Sequence, residues 1–115
     1  MDRKVLWSTI DFRGNIVEYD SYSHEHIHAQ RGGDFDLIAP LIEPTVNRPT
    51  MLIQSTLSDD TYIYSGWDVC QEARQKMWLH VVVGFQLSIG RVETAYFSPG
   101  QKHGTIVYCD WTNRL

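Results

Sequence analysis

The chain has 115 residues, of which 43% are hydrophobic and 21% are charged. This length and balance predict one folded domain over residues 1–115 and exclude a disordered chain, because enough apolar surface is present to form a core. The formal net charge of −4 argues against broad non-specific binding to nucleic acid, which requires a basic surface, but leaves room for a local basic pocket.

The first third of the chain predicts a β-hairpin followed by a helix. Two predicted strands, residues 4–10 and 15–19, flank a short turn in which Gly14 permits a positive φ. Ser23 is the predicted N-cap of the helix, since a serine hydroxyl can accept a hydrogen bond from a free backbone N–H of the first turn. The helix is predicted to stop at Gly32, where a second glycine follows.

A second helix and a series of strands are predicted to follow. The helix is indicated by one apolar face, formed by Leu37, Ile38, Leu41 and Ile42. From residue 50 the pattern indicates strands, at residues 50–56, 61–64, 78–85, 91–97 and 105–111. The predicted fold class is therefore α+β: two helices in the N-terminal half, packed on a four- to five-stranded antiparallel sheet, with an extra N-terminal β-hairpin.

The compartment is predicted from what the sequence lacks. No apolar run approaches the roughly 20 residues that cross a bilayer, and the first residues do not form the apolar core of a signal peptide. These features predict a cytoplasmic protein with no membrane partner. Cys70 and Cys109 do not have metal-ligand spacing and are expected to be reduced.

Three histidines in the first predicted helix, His24, His26 and His28, are the first candidate site. On a helix His24 and His28 share a face while His26 points elsewhere, whereas on a strand all three would align. The strand arrangement would suit zinc, iron or manganese, and a solvated helix face is the simplest alternative. An acid–base role is the third interpretation, since imidazole titrates near neutral pH.

The predicted strand 91–97 carries the second group of candidates. Alternation places Thr94 and Tyr96 on one face and Arg91 on the other, unless a bulge intervenes. Threonine and tyrosine are also ordinary strand residues, so this pattern alone does not require a functional role. On the preceding strand, His80 lies within an apolar run and is predicted to be buried and hydrogen-bonded.

The order of these segments resembles a group of phage and polymorphic-toxin nucleases. The histidine-containing helix is followed by four segments, Leu41-Ile42-Glu43-Pro44-Thr45-Val46, Tyr62-Ile63-Tyr64, Leu79-His80-Val81-Val82-Val83 and Val92-Glu93-Thr94-Ala95-Tyr96. This ordered set, covering about residues 23–97, is similar to the barnase–EndoU–colicin–RelE-like nuclease family.

The resemblance implies a RelE-like or barnase-like fold and a metal-independent ribonuclease without a cofactor. The pair His26-Ile27 matches the family's helix, Arg31 matches its basic end, and Thr94 and Tyr96 match its terminal strand. The Arg-His pair that the family shows at the helix end is replaced here by Gln30-Arg31. In this chain the histidines lie earlier in the helix.

The implied enzyme is a toxin-like endoribonuclease that uses the RNA 2′-hydroxyl as its nucleophile. The predicted catalytic residues are His26, with His24 or His28 as substitute, together with Thr94 and Tyr96. The predicted substrate-binding residues are Arg31, Arg91, Tyr64 and Lys102. RNA and a cognate antitoxin or immunity protein are the expected partners, and the sequence leaves the oligomeric state open.

Two other function classes remain open at this point. An acidic, non-catalytic binding or immunity-type module of the same α+β class would agree with the net charge of −4. A small metal-dependent enzyme would be built on His24, His26 and His28.

Overall fold

The computed structural model describes residues 3–112 and shows a mixed β-sheet with one helical segment. The described elements, in chain order, are β1 Val5–Ile10, β2 Ile16–Asp20, α1 Ser21–Arg31, α2 Phe35–Ile38, α3 Ile42–Asn47, β3 Met51–Ser55, β4 Thr61–Trp67, β5 Trp78–Gln86, β6 Ile89–Ser98 and β7 Gly104–Cys109. Two 3₁₀ turns, Gly32–Asp34 and Ala39–Leu41, join the three helices into one segment. None of the helices within residues 3–112 is long and apolar enough to cross a membrane.

The described strands form a single seven-stranded sheet in the order β1-β2-β6-β5-β4-β3-β7. All neighbours are antiparallel except β2 and β6, which are parallel. The predicted fold, two helices on a four- to five-stranded antiparallel sheet, is therefore wrong. The N-terminal hairpin joins the sheet through β2, and β7 extends the sheet beyond β3. Both additions occur because the unpaired backbone groups of an edge strand can pair with any strand that the fold brings beside them.

The predicted hairpin is present, but the predicted helix boundaries are corrected. Gly14 has a φ of 88°, as its place in the turn requires. The N-cap of α1 is Asp20 instead of Ser23, and its Oδ1 accepts a hydrogen bond of 2.8 Å from the Ser23 N–H. The second predicted helix is divided into α2 and α3 by the 3₁₀ turn that contains Pro40, since proline lacks an N–H and restricts the preceding residue.

The sheet has an apolar cluster on each side. Alternation along the strands separates the two, because Leu52 and Leu79 face the helices while Met51 and Trp78 face the other way. The helices contribute fully buried side chains to the first cluster, namely Ile27, Ile38, Ile42 and Val46. His80 has the same parity as Trp78, so it lies on the side away from the helices.

A buried carboxylate links the hairpin turn to the centre of the sheet. Asp11 is 4% exposed, and its Oδ1 accepts hydrogen bonds from the N–H groups of Arg13 and Asn15 at 2.9 and 2.8 Å. Its Oδ2 accepts the hydroxyl of Tyr64 at 2.5 Å. Burial, followed by this hydrogen bond, raises the pKa of Tyr64 above its ordinary value, so the phenol stays protonated and donates. Tyr64, a predicted substrate contact, lies in the core instead.

We expect Tyr64→Phe to destabilise the fold by about 1–3 kcal/mol, because a buried carboxylate oxygen of Asp11 would lose its shortest donor. Urea unfolding monitored by circular dichroism measures this change. Tyr62→Phe is the matched control, since within residues 3–112 Tyr62 makes ring contacts with Phe85 and Arg13 but no side-chain hydrogen bond. Equal losses of stability in the two variants would contradict the proposed role of the Asp11 contact.

Candidate functional site

Helix α1 lies along one edge of strand β6. Strand β2 pairs with β6 only at residues 89–91, which leaves the following carbonyl groups on that edge without a strand partner. Two side chains of α1 supply donors instead: the Ser23 hydroxyl donates to the Val92 carbonyl, and Arg31 Nε donates to the Ala95 carbonyl at 2.9 Å. The helix is thus fixed against β6 at both of its ends.

Arg31 and Tyr96 together connect four of the predicted residues. Its Nη2 donates to Thr94 Oγ1 at 3.0 Å, and its guanidinium carbon lies 5.2 Å from the centroid of the Tyr96 ring. Lys102 Nζ also lies 5.2 Å from that centroid. The Tyr96 ring therefore contacts two cations near the C-terminal end of α1, and one of them, Arg31, also holds the Thr94 hydroxyl.

A β-bulge in β6 determines which side chains share a face. Val82 pairs with Thr94 but Val83 pairs with Val92, so Glu93 is the extra residue. The bulge places Arg91 on the same face of the sheet as Thr94, whereas strict alternation along the strand would place the two residues on opposite faces. Arg91 is nevertheless held away from Thr94, because its Nε lies 3.3 Å from Oδ2 of the buried Asp20.

The three histidines of α1 lie on two flanks of the helix. His24 Nδ1 hydrogen-bonds with the Tyr19 hydroxyl at 3.0 Å, and the rings of His24 and His28 both pack against Phe35. Burial raises the pKa of Tyr19 to about 12, so its hydroxyl stays protonated at neutral pH.

His26 belongs to the opposite flank, one turn beyond Tyr22, and is partly exposed. Among the described residues its side chain makes no hydrogen bond, ion pair or ring contact. Because the segment is helical, the aligned arrangement that a three-histidine metal site requires is not formed. No group of three potential metal ligands occurs within residues 3–112.

His80 lies beside Tyr96 on the neighbouring strand β5 and is fully buried, which confirms the prediction that it is buried. Its Nε2 lies 2.9 Å from the Gly100 carbonyl and therefore carries the proton, which leaves Nδ1 to accept from the Ser65 hydroxyl at 2.7 Å. The ring centroids of His80 and Tyr96 are 5.4 Å apart. His80 thus anchors the segment that carries Lys102 against the sheet.

A second feature of the site is a cavity at the N-terminal end of α1, with a volume of about 730 Å³. Arg3 and Tyr22 line it, and the Arg3 guanidinium carbon lies 4.3 Å from the Tyr22 ring centroid. Arg3 also shares the Oδ2 atom of Asp20 with Arg91. Sequence reasoning missed Arg3 and Asp20. The preference for aspartate at helix N-caps is the one sequence feature that could have indicated Asp20. Arg3 reaches Asp20 because β1 pairs with β2.

The chain matches no protein-family model, no curated protein and no solved structure. The nuclease resemblance therefore remains a prediction. Since one fold can support many activities, the functional conclusion depends on the residues of the site.

We expect the free energy of unfolding to decrease, and the fold to become less stable, as the pH is lowered below about 6.5. Burial, with a smaller contribution from the charge of Lys102, lowers the pKa of His80, while its hydrogen bond to the Gly100 carbonyl opposes this shift. The unfolded chain therefore binds a proton at a higher pH than the folded one, and acid favours unfolding. Thermal unfolding between pH 8 and pH 5 measures the dependence.

His80→Gln should be less stable than the wild type at pH 8 but should lose less stability on acidification. His103→Gln changes an exposed histidine and serves as the control, with the wild-type pH dependence retained. Parallel pH profiles for the wild type and His80→Gln would assign the acid sensitivity to other groups.

Proposed function

We propose that this protein is a metal-independent endoribonuclease that cleaves RNA by attack of the 2′-hydroxyl on the adjacent phosphate. The observation that carries the proposal is the convergence of Arg31, Thr94, Tyr96 and Lys102 at the end of α1 that follows His26. These residues come from a helix, a strand and a loop, and each has a role in phosphate transfer.

Arg31 and Lys102 would bind the scissile phosphate. The guanidinium of Arg31 has five N–H donors, of which Nε and one on Nη2 are used by Ala95 and Thr94. Three donors remain for phosphate oxygens on a group that its other contacts hold in place. Thr94 accepts from Arg31, so its own O–H is free to donate to a phosphate oxygen. This preorganised charge would stabilise the pentavalent phosphorane.

The proton transfers are assigned to His26 and Tyr96. His26 would remove the 2′-hydroxyl proton as the new 2′-O–P bond forms, because a neutral imidazole accepts a proton near pH 7. As the P–O5′ bond breaks, the Tyr96 hydroxyl would donate a proton to the leaving 5′-oxygen. The products would be a 2′,3′-cyclic phosphate and a 5′-hydroxyl. His24 and His28 are less suited, since both pack against Phe35 on the other flank.

A non-catalytic binding module is the second candidate function. It is favoured by the net charge of −4 and by three carboxylates of the cavity that form no ion pair within residues 3–112, namely Glu18, Asp60 and Glu93. Such a module would bind a basic partner.

The ribonuclease proposal implies a different partner. An antitoxin or immunity protein of a toxin would cover the Arg31 site, and an acidic surface on that partner would complement the cations of the site.

The wild-type protein is expected to cleave RNA in the presence of EDTA and to leave ends with a cyclic phosphate. His26→Ala should lower kcat/KM by about 10²-fold to 10⁴-fold, the usual contribution of a general base. End-group analysis of an oligoribonucleotide measures both results. His28→Ala is the matched control on the same helix and should retain activity. Loss of activity in His28→Ala alone would move the base to the other flank.

Arg31→Lys should keep the charge and lose about 10²-fold in kcat. An ammonium has three N–H donors and no planar fork, so the contacts with Thr94 and the Ala95 carbonyl would leave one donor for phosphate where Arg31 has three. Arg74→Lys is the control, because Arg74 pairs with Asp34 and contacts none of Thr94, Tyr96 and Lys102; it should remain near wild type. Intact RNA with wild-type protein across pH 5–8 would overturn the nuclease proposal and favour the binding module.

A further inference from the structure

Residues 99–103 form a strap on the side of the sheet that faces away from the helices. The strap leaves the end of β6 and enters β7, and three strands, β5, β4 and β3, lie between those two in the sheet. All five of its residues are exposed. Within residues 3–112, apart from a turn with Ser98, the strap makes one hydrogen bond and one ring contact with the sheet, through Gly100 and Lys102. Few contacts therefore decide where the strap lies.

The hydrogen bond comes from His80, whose side chain is completely buried. Its Nε2 donates to the Gly100 carbonyl at 2.9 Å, and its Nδ1 accepts from the Ser65 hydroxyl at 2.7 Å. Ser65 is also completely buried, and within residues 3–112 its hydroxyl makes no other hydrogen bond. The neutral ring with its proton on Nε2 is therefore the form that matches both neighbours.

A second proton on His80 would remove this match. The proton would occupy Nδ1, so the Ser65 hydroxyl could no longer donate to the ring. The charged groups near the ring are cations, namely Lys102 on the strap and Arg31, which contacts the adjacent phenol ring of Tyr96. Burial, followed in effect by the charge of Lys102, lowers the pKa of His80, although its backbone hydrogen bond opposes this shift. Acid therefore favours an open strap, in which water reaches the imidazolium.

The strap carries a cation of the proposed phosphate site. Lys102 Nζ lies 5.2 Å from the centroid of the Tyr96 ring, which Arg31 also contacts. Lys102 follows Gly100 by two residues, and two residues span at most about 7 Å. Displacement of Gly100 from the sheet would therefore also displace the ammonium group. The hydrogen bond to the Gly100 carbonyl thus fixes where this cation lies.

We propose that His80 is a positioning residue that holds Lys102 at the RNA phosphate through the Gly100 carbonyl, and that protonation of the imidazole releases it. This role rests on the proposed ribonuclease function, because that function assigns the phosphate contact to Lys102. The direction of the effect follows from the burial of the ring. The closed strap disfavours the extra proton, whereas in the open strap the histidine titrates near its ordinary value of about 6.5. The strap should be closed above about pH 6.5 and should open progressively below it.

Two substitutions separate the two nitrogen contacts of His80. His80→Gln keeps a donor near the position of Nε2 but cannot titrate, whereas His80→Asn keeps an acceptor near the position of Nδ1 and loses the bond to Gly100. Binding of an uncleavable 2′-deoxy oligonucleotide at pH 8 is measured by fluorescence anisotropy. His80→Asn and Lys102→Ala should each bind about tenfold more weakly than the wild type, as expected for one charged hydrogen bond. His80→Gln should bind like the wild type.

Ser65→Ala is the matched control for disturbance of the core. This substitution removes the partner of Nδ1 from the same buried pair but leaves the contact between His80 and Gly100 in place. Its affinity for the oligonucleotide should equal that of the wild type. Circular dichroism establishes that each variant is folded at each pH used.

Acidification provides a readout that a purely structural role would not change. Between pH 8 and pH 5 the affinity of the wild type, relative to that of His80→Gln, should fall towards the affinity of Lys102→Ala. The other histidines titrate in both proteins, so the comparison isolates His80. Amide hydrogen exchange, corrected for the intrinsic effect of pH, should become faster at residues 100–103 of the wild type while β5 keeps its protection. In His80→Gln the strap should keep its protection.

The outcomes separate this role from the ribonuclease itself. Wild-type affinity in His80→Asn, or an equal loss of affinity in Ser65→Ala, would overturn the positioning role and leave the ribonuclease intact if RNA is still cleaved. Strap protection in the wild type that does not change between pH 8 and pH 5 would overturn release by acid. Oligonucleotide binding that depends on His80 and Lys102, without cleavage of RNA, would overturn the ribonuclease and leave the positioning role in a nucleic-acid-binding site.

Discussion

Asp20 lies where β2 ends and α1 begins, and its two oxygens fix the elements that meet there. Oδ1 caps α1 through the Ser23 N–H, while Oδ2 holds Arg3 and Arg91. Burial raises the pKa of Asp20, but the hydrogen bonds from Ser23 and Arg3 lower it by more, so the carboxylate is ionised at neutral pH. One buried charge thus sets the direction in which α1 leaves the sheet.

That direction places α1 where a strand would otherwise pair with β6. The helix satisfies two edge carbonyl groups through Ser23 and Arg31, and the same Arg31 contact brings a guanidinium to Thr94 and Tyr96. The interaction that closes the sheet edge therefore also assembles the candidate site. We expect Arg31 to be held more rigidly than a surface arginine, because its guanidinium is bound to the sheet edge. A rigid cation is already in position to stabilise charge that develops on a substrate.

Charge is divided between the two ends of α1. Arg31 and Lys102 present cations at the C-terminal end. At the N-terminal end Asp20 pairs with the two arginines of the cavity, and within residues 3–112 the carboxylates of the cavity form no ion pair. Under the proposed ribonuclease function, the cations at the C-terminal end of α1 would contact the phosphates of RNA. A net charge of −4 is compatible with this arrangement, since affinity would depend on the local potential.

The sequence by itself determined most of the individual elements. Alternating and helical apolar patterns depend on contacts between near neighbours, and for this reason the hairpin around Gly14, the helix that carries His26 and the strand that carries Thr94 and Tyr96 were all predicted. Only the tertiary structure decided how the strands are ordered, that β2 runs parallel to β6, and that Glu93 bulges over Gly84. It also decided that Tyr64 belongs to the core and that Arg3 reaches Asp20. These features depend on pairing between residues far apart in the chain, and that pairing leaves no periodic signal in the local sequence.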